Sequence, residues 1–379
     1  APMVHGHDIG DARYDVHFPQ RRRYSGLKRV VFDFEKLFVE GIAGMLEDLR
    51  AILREYPADT LLGDPAVAAT RILSERGGPP AAVLNVTVLS FETPELAAFG
   101  LGLPFDASFV GRLRNRLSYA LVDHVVFRSV NRAYRTLAQR HDWPVRPFRP
   151  SLSSFLHLQP MVPGFEYPLS HIPEQLHFIG ALLPDAPVKL QPPPWWGRAV
   201  NGGKPIVLVT QGTIATDVEE LIRPTLQALA TEDVLVIATT GGKRAEELGF
   251  AIPQNAVVEP FIPFTDLMPH VSAYVTNGGY GGVCIALAHG VPLVVAGTTE
   301  DKMEVANRVA HCGVGLNLKT NRPSADQVRS AVRTLRSNRS FAERAGSIKD
   351  ELTMHDAQKE AAALLEQLAR TRAPVFRIS

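Results

Sequence analysis

The stretch VTNGGYGGVCIALAHGVPLVVAGTTEDKMEVANRVAHCGVG, residues 275–315, constrains the fold more than any other. It reads as a strand ending in a glycine cluster, a helix, a second strand ending at Glu300-Asp301, and another helix. Gly278, Gly279, Gly281 and Gly282 let the backbone approach a bulky anion. The helix behind them points its N–H groups and positive dipole end at the same place. The acidic pair falls at the carboxyl end of the next strand, where open α/β sheets bind ligands. A diphosphate donor with a hydroxyl-rich group beyond it satisfies both halves. Tight helix–strand packing without a ligand is the alternative, although four glycines exceed what packing requires.

The flanking segments extend this alternation. PIVLVTQGT (205–213), VLVIATT (234–240) and AVVEPFI (256–262) read as strands, 218–230 as a helix and PFTDLMPHV (263–271) as a short one. Strands this continuously apolar predict a doubly wound parallel sheet covered on both faces. Upstream, Leu27 to Leu49 follow a helical pattern that closes at Tyr56-Pro57. TLLGD (60–64) reads as a strand, followed by a helix to about Arg76, and AAVLNVTVLSF (81–91) as a second strand. GLGLP (100–104) is a loop, and Leu113, Leu117, Leu121 and Val125 recur at helical spacing. A proline-rich run from Pro144 to Pro173 precedes HFIGALLP (177–184), a strand and a break.

PDAPVKLQPPPWWGRAVNGGKP (184–205) is rich in Pro and Gly and marks a junction. The expectation is an α/β protein of two domains, 1–184 and 205–379, with a linker at 185–204 and the last helix packing back on the first domain. A chain of 379 residues is long for one core. Trp195 and Trp196 most simply anchor the linker to a surface, with stacking on a sugar as the other reading.

Composition removes several function classes. Lys+Arg 40 against Asp+Glu 39 leaves a net charge of +1, so no global field recruits nucleic acid or membrane. Arg112, Arg114, Arg116, Arg128, Arg132 and Arg135 cluster around one helix. They read as a solvated surface before a membrane or nucleic-acid face, because aromatics are not interleaved among them. Two cysteines, Cys284 and Cys312, suit a reducing compartment without a disulfide framework. With no leader and no apolar run of roughly 20 residues, the protein is expected to be cytoplasmic. The G-x-G-x-x-G spacing and the Walker A pattern are both absent, which disfavours NAD and P-loop chemistry. Gln211-Gly212-Thr213 ends the first strand of the second half and supplies a hydroxyl within reach of a phosphate.

QGT (211–213), PFIPFTDLMPH (260–270), VTNGGYGGVCIALAHGVP (275–292) and TTEDKMEVANRVAHCGVG (298–315), in this order, resemble a nucleotide-sugar-dependent glycosyltransferase. The family is the one containing the macrolide and UDP-glucuronosyl transferases (family 1 type). It has the GT-B fold, two Rossmann-like domains facing across a cleft. HFIGALLP and the tryptophan linker are similar to the family's passage between domains. The resemblance covers nearly the whole chain and is most specific in its C-terminal half.

This resemblance implies roles at matching positions. Gly212 and Thr213 hold the donor diphosphate from one side. Asn277, Gly278, Gly279, Tyr280, Gly281 and Gly282 hold it from the other, chiefly through backbone N–H groups. Phe261 and Ile262 face the pyrimidine base, although Phe261 as a core residue is a competing reading. Asp301 and Lys302 stand where the family has an acid–Gln pair that binds donor-sugar hydroxyls. Three departures bear on the donor: Asn277 replaces a phosphate-facing His, Lys302 replaces Gln, and Ile285 stands where many members have a ribose-binding Glu. Losing that acceptor leaves room for a TDP-sugar as well as a UDP-sugar.

The implied reaction is an inverting transfer to the hydroxyl of a small, largely apolar acceptor such as a natural product. A histidine takes the acceptor proton and an aspartate orients that histidine. Asp64 matches the aspartate, and a helix cap is its other reading. The family's opening strand, Gly-His loop and first helix, roughly 50 to 60 residues, have no counterpart before Ala1. His5, His7 and His17 lie in a polar stretch and read as surface-loop residues without metal-ligand spacing. A chain beginning at Ala1 is therefore expected to bind donor but to transfer weakly. Phe91, Thr93 and the Phe99–Phe105 loop are the candidate acceptor pocket. No metal and no cofactor besides the donor co-substrate is expected, since a helix dipole and loop amides can carry leaving-group charge. Nucleic-acid binding and stable membrane insertion are not expected. The alternative function is a non-catalytic homologue that binds nucleotide sugar or assists a partner enzyme.

Overall fold

Leu27 opens a helical pattern that the computed structural model resolves into two helices. Residues 17–149, 152–184, 193–212 and 217–377 are described. Helices α1 (Gly26–Asp33) and α2 (Ile42–Glu55) join through a π-helical turn, Phe34–Val39. The second ends at Tyr56 because Pro57 has no N–H to continue the ladder. Strand β1 (Leu61–Gly63), α3 (Ala68–Glu75) and β2 (Ala81–Leu84) follow, then α4 (Phe109–Leu121), α5 (Arg128–His141), β3 (Leu156–Gln159) and β4 (Leu176–Phe178). Their sheet is parallel, in the order β1-β2-β3-β4.

Here the expected strand at 81–91 is cut short. Asn85 leaves the sheet because its amide donates to Gln159 Oε1 at 2.6 Å and to the Val88 carbonyl at 3.3 Å. Strand β3 was hidden in the proline-rich run. The helix predicted from Leu113, Leu117, Leu121 and Val125 forms, but these side chains are 52%, 61%, 49% and 66% exposed. The buried face of α4 is instead Gly111, Asn115 and Ser118.

The second half begins with α6 (Trp196–Asn201), β5 (Ile206–Thr210), α7 (Ile222–Leu229), β6 (Leu235–Thr239) and β7 (Ala256–Glu259). It continues with α8 (Phe264–Leu267), β8 (Val271–Thr276), α9 (Tyr280–Ala288), β9 (Leu293–Val295), α10 (Lys302–His311) and β10 (Gly315–Asn317). Helices α11 (Ala325–Ser337), α12 (Arg339–Thr353) and α13 (Ala357–Thr371) complete the described chain. All neighbours in the order β10-β9-β8-β5-β6-β7 are parallel. Strand order reverses between β5 and β8, which makes the crevice at their carboxyl ends a topological switch point. Fully buried Val207, Leu208, Val209, Ala273 and Val275 explain why these strands read as continuous apolar runs.

Trp195 ties the junction down. Its indole N–H donates to Glu259 Oε1 at 2.6 Å, and both tryptophans pack partly buried against the second-half core. The last helix, α13, crosses back to the first sheet, where Leu368 joins Ala82, Leu156, Leu158 and Ile179 in one apolar cluster. No helix of the described residues is long and apolar enough to cross a membrane.

Candidate active site

Two loops meet at the switch point. Gly212 follows β5 with φ +77°, a conformation glycine adopts without strain, and its N–H donates to Thr210 Oγ1 at 3.2 Å. The Asn277 amide donates to the Gln211 carbonyl, and its Oδ1 accepts from the Gly279 N–H at 3.3 Å. Asn277 therefore joins the two loops. Thr213 lies outside the described residues.

The four glycines divide into two kinds. Gly278 has φ +90°, and a Cβ there would stand 2.7 Å from Val295 Cγ1. A Cβ on Gly282 would meet the Tyr274 hydroxyl at 2.9 Å. These two serve the backbone and its packing. Gly281 has nothing within 4 Å of that position, and Gly279 only Asn277 Oδ1 at 3.8 Å. Open space at these two lies over the first turn of α9, where Tyr280, Gly281 and Gly282 N–H groups have no intrahelical acceptor. The Tyr280 ring turns away and is buried. Its hydroxyl accepts from Gln159 Nε2 at 2.8 Å, and burial pushes its pKa well above the ordinary value.

Phe261 is 69% exposed at the end of β7, which removes the reading of it as core, while Ile262 packs partly buried beside it. Ile285 on α9 also packs partly against the core. Lys302 pairs with Glu300, whose φ is +56°. Asp301 precedes α10 and reaches the first half of the molecule, accepting from Thr87 Oγ1 at 2.5 Å.

Thr87 belongs to a cavity of about 170 Å³ above the first sheet, shared with Asp64, Asn85, Ser90, Phe99 and His157. Asp64 follows β1, and its Oδ1 accepts the Ala66 N–H at 2.7 Å, so it caps the turn while lining the cavity. Phe91 and Thr93 line neither this cavity nor the neighbouring hollow around Leu103 and Phe105. The Phe91 carbonyl accepts from the Tyr119 hydroxyl, and Thr93 Oγ1 closes a turn onto Glu95. Of the candidate acceptor loops, Phe99 lines the cavity, together with Ser90 from the chain that left the sheet at Asn85. His5 and His7 lie outside the described residues, and His17 is exposed.

The sequence offered no signal for His157. It sits on β3 opposite Val83, is 3% exposed, and neither ring nitrogen has a hydrogen-bond partner. Burial lowers its pKa to about 4, so it is neutral at pH 7. The unfolded histidine protonates near 6.5 and the folded one only near 4. Its contribution to stability is therefore complete above the unfolded value and is lost as pH falls between them. We predict that stability drops by about 3 kcal/mol across this window and that His157→Leu flattens the slope. An equally steep profile in the variant, measured by urea unfolding at several pH values, would contradict this assignment.

Helix α10 locks the halves together. Arg308, 2% exposed, donates through Nε to Glu166 Oε2 at 2.5 Å and through an η nitrogen to the Leu89 carbonyl at 2.7 Å. Its guanidinium lies 4.3 Å from the Tyr167 ring centroid. Glu304 accepts from the Gly100 and Gly102 N–H groups at 3.1 and 3.0 Å. Burial holds the Glu304 carboxyl above its usual range, against the pull of Arg308 and these amides.

Known proteins resemble this chain in sequence and in fold. Residues 223–368 match the family model described as Erythromycin biosynthesis protein CIII-like, C-terminal domain. The chain is 41% identical over 372 residues to 4'-demethylrebeccamycin synthase of Lentzea aerocolonigenes, covering 97% of this chain and 87% of the relative. UDP-glycosyltransferase 2 of Phaeomoniella chlamydospora is 34% identical over 382 residues, with 96% and 83% covered. The crystal structure of CalG4, the calicheamicin glycosyltransferase, superposes with a TM-score of 0.73 at 22% identity, covering 96% of this chain and 86% of that one. Its likeness shows the fold, and the two sequence relatives show the kinship. The chain belongs to the nucleotide-sugar-dependent glycosyltransferases of the GT-B fold, in the family 1 group.

Proposed function

We propose that this glycosyltransferase moves a sugar from a UDP- or TDP-sugar to a hydroxyl of a small, largely apolar natural product, with inversion at the anomeric carbon. The Thr87–Asp301 hydrogen bond carries the reading. It joins a cavity in the first half to the residue that opens α10, beside the glycine crevice of the second half. A donor in the crevice and an acceptor in the cavity meet at that bond.

In this reading Gly212 and the Gly279–Gly282 amides hold the diphosphate, with Thr213 as a further ligand outside the described residues. The positive end of α9 stabilises the charge that develops as the diphosphate departs. That arrangement asks for no metal and no cofactor besides the donor. Phe261 stacks on the base, with Ile262 beside it, and Ile285 tolerates a deoxyribose. Asp301 accepts from donor-sugar hydroxyls while Thr87 orients it, and Lys302 supplies a donor near the same sugar. Asp64 is placed to orient the histidine that takes the acceptor proton, a role assigned to none of the described residues. Phe34, Val67, Val86 and Phe99 give the cavity an apolar wall suited to such an acceptor, and relatives named for rebeccamycin and calicheamicin support the acceptor class.

A panel of UDP- and TDP-sugars, assayed with EDTA present and the product's anomeric configuration read by NMR, tests the reading. Transfer with inversion from at least one TDP-sugar is expected of the enzyme that carries the family's base histidine. Asp301→Asn should lower kcat/KM for the donor by roughly 10- to 100-fold, the worth of a hydrogen bond to a charged group. Strict use of UDP-sugars would remove the TDP donor, and retention of configuration would remove the mechanism.

A further inference from the structure

Helix α4 is packed inside out. Gly111, Asn115 and Ser118 face inward, where Asn115 donates to the Pro94 carbonyl at 3.1 Å and Ser118 Oγ accepts from the Ala98 N–H at 2.8 Å. Its apolar side faces solvent. Phe109 is 83% exposed and Val110 71%, ahead of Leu113, Leu117 and Leu121 on the same side, with Val125 66% exposed in the π-helical turn that follows. At 100° per residue, Phe109, Leu113, Leu117, Val110 and Leu121 form one continuous stripe. Arg112 and Arg116 border it on one side and Arg114 on the other. A contiguous exposed stripe of this kind marks a contact surface.

The charge around the stripe says what it contacts. Arg112, Arg114 and Arg116 flank it: Arg112 is paired with Glu95 at 3.3 Å, Arg114 donates to the Pro104 carbonyl at 2.7 Å and Arg116 is exposed, while the one acid within 109–141 is Asp123. Asp123 is buried and paired with Arg149, so it neutralises none of them. A second copy docking through this face would bring arginine rows together. Nucleic acid would place phosphates over an apolar strip. An anionic bilayer surface satisfies both features, with leucines entering the acyl boundary and guanidinium groups lying among the headgroups. We propose that the outer face of α4 docks this enzyme on the surface of a membrane rich in anionic lipid. The inference rests on α4 alone and is independent of the donor and acceptor assignments.

Co-sedimentation with vesicles of phosphatidylcholine, with and without an equal share of phosphatidylglycerol, tests it. Expected is binding to the anionic vesicles at low salt, at least about tenfold weaker binding to the neutral ones, and release as salt rises. Leu113→Asn with Leu117→Asn should weaken binding about tenfold or more, and Arg116→Ala about fivefold. Both variants should keep the wild-type melting temperature, because the altered side chains are exposed. Failure to bind anionic vesicles, or equal binding by the leucine variant, would overturn the proposal. So would a dimer in light scattering that the leucine variant converts to monomer, since the face would then belong to a second copy.

Discussion

Replacing Arg308 by methionine should destabilise the enzyme by about 3–5 kcal/mol, because it strands two carboxylates in the interface between its halves. Glu166 and Glu304 are 6% and 8% exposed, and the guanidinium is their shared counter-charge. Methionine fills much of the same volume, so the loss reports charge and hydrogen bonding more than a cavity. It also leaves the Leu89 carbonyl without its donor, and this carbonyl belongs to the segment that presents Ser90 and Phe99 to the cavity. Arg308→Met combined with Glu166→Leu should recover a large part of the loss, since an apolar pair can replace a buried ion pair at little cost. Thermal unfolding should show the single variant melting at least about 5 °C lower. A single variant as stable as wild type would mean that α10 is held by apolar packing alone.

How much of this was legible beforehand follows from what each signal encodes. Strands β5, β6 and β8 were readable because a parallel strand buried on both faces is an uninterrupted apolar run ending in Gly or Thr. Strand β10, three residues long, and β3, four residues inside a proline-rich run, carry too little periodicity to register. The glycine crevice was readable as an anion site, but its division was not. Whether a glycine serves packing, as Gly278 does against Val295, or leaves space, as Gly281 does, depends on residues distant in sequence. Helix α4 shows the same limit. A 3.6-residue period announces a helix and an apolar side, yet it does not say that this side faces the core, and here Asn115 and Ser118 occupy the inward face. Thr87, Gln159, Glu166 and Arg308 were invisible as a set because their partners lie across the two halves, and a threonine in a loop announces nothing of an aspartate more than two hundred positions away.

The account turns on a diphosphate lying against the first turn of α9, and Gly281 isolates that claim. Its Cβ position is open, its φ is not in the left-handed region, and it stands in the helix where glycine is the weaker helix former. Gly281→Leu should therefore leave folding intact or stabilise it by roughly 0.5–1 kcal/mol. The leucine side chain would project into the open space over the Gly281 and Gly282 amides. A diphosphate would then lose hydrogen bonds worth about 1.5–3 kcal/mol each, which for two is at least about a hundredfold in affinity. Gly278→Ala is the contrasting variant, since its backbone conformation and the nearby Val295 predict a loss of stability before any loss of binding. The direct measurement is calorimetric titration of UDP and TDP into wild type and Gly281→Leu, alongside their unfolding curves. The account predicts undiminished stability with nucleotide binding reduced at least about a hundredfold. Nucleotide bound equally well by a folded Gly281→Leu enzyme would contradict it.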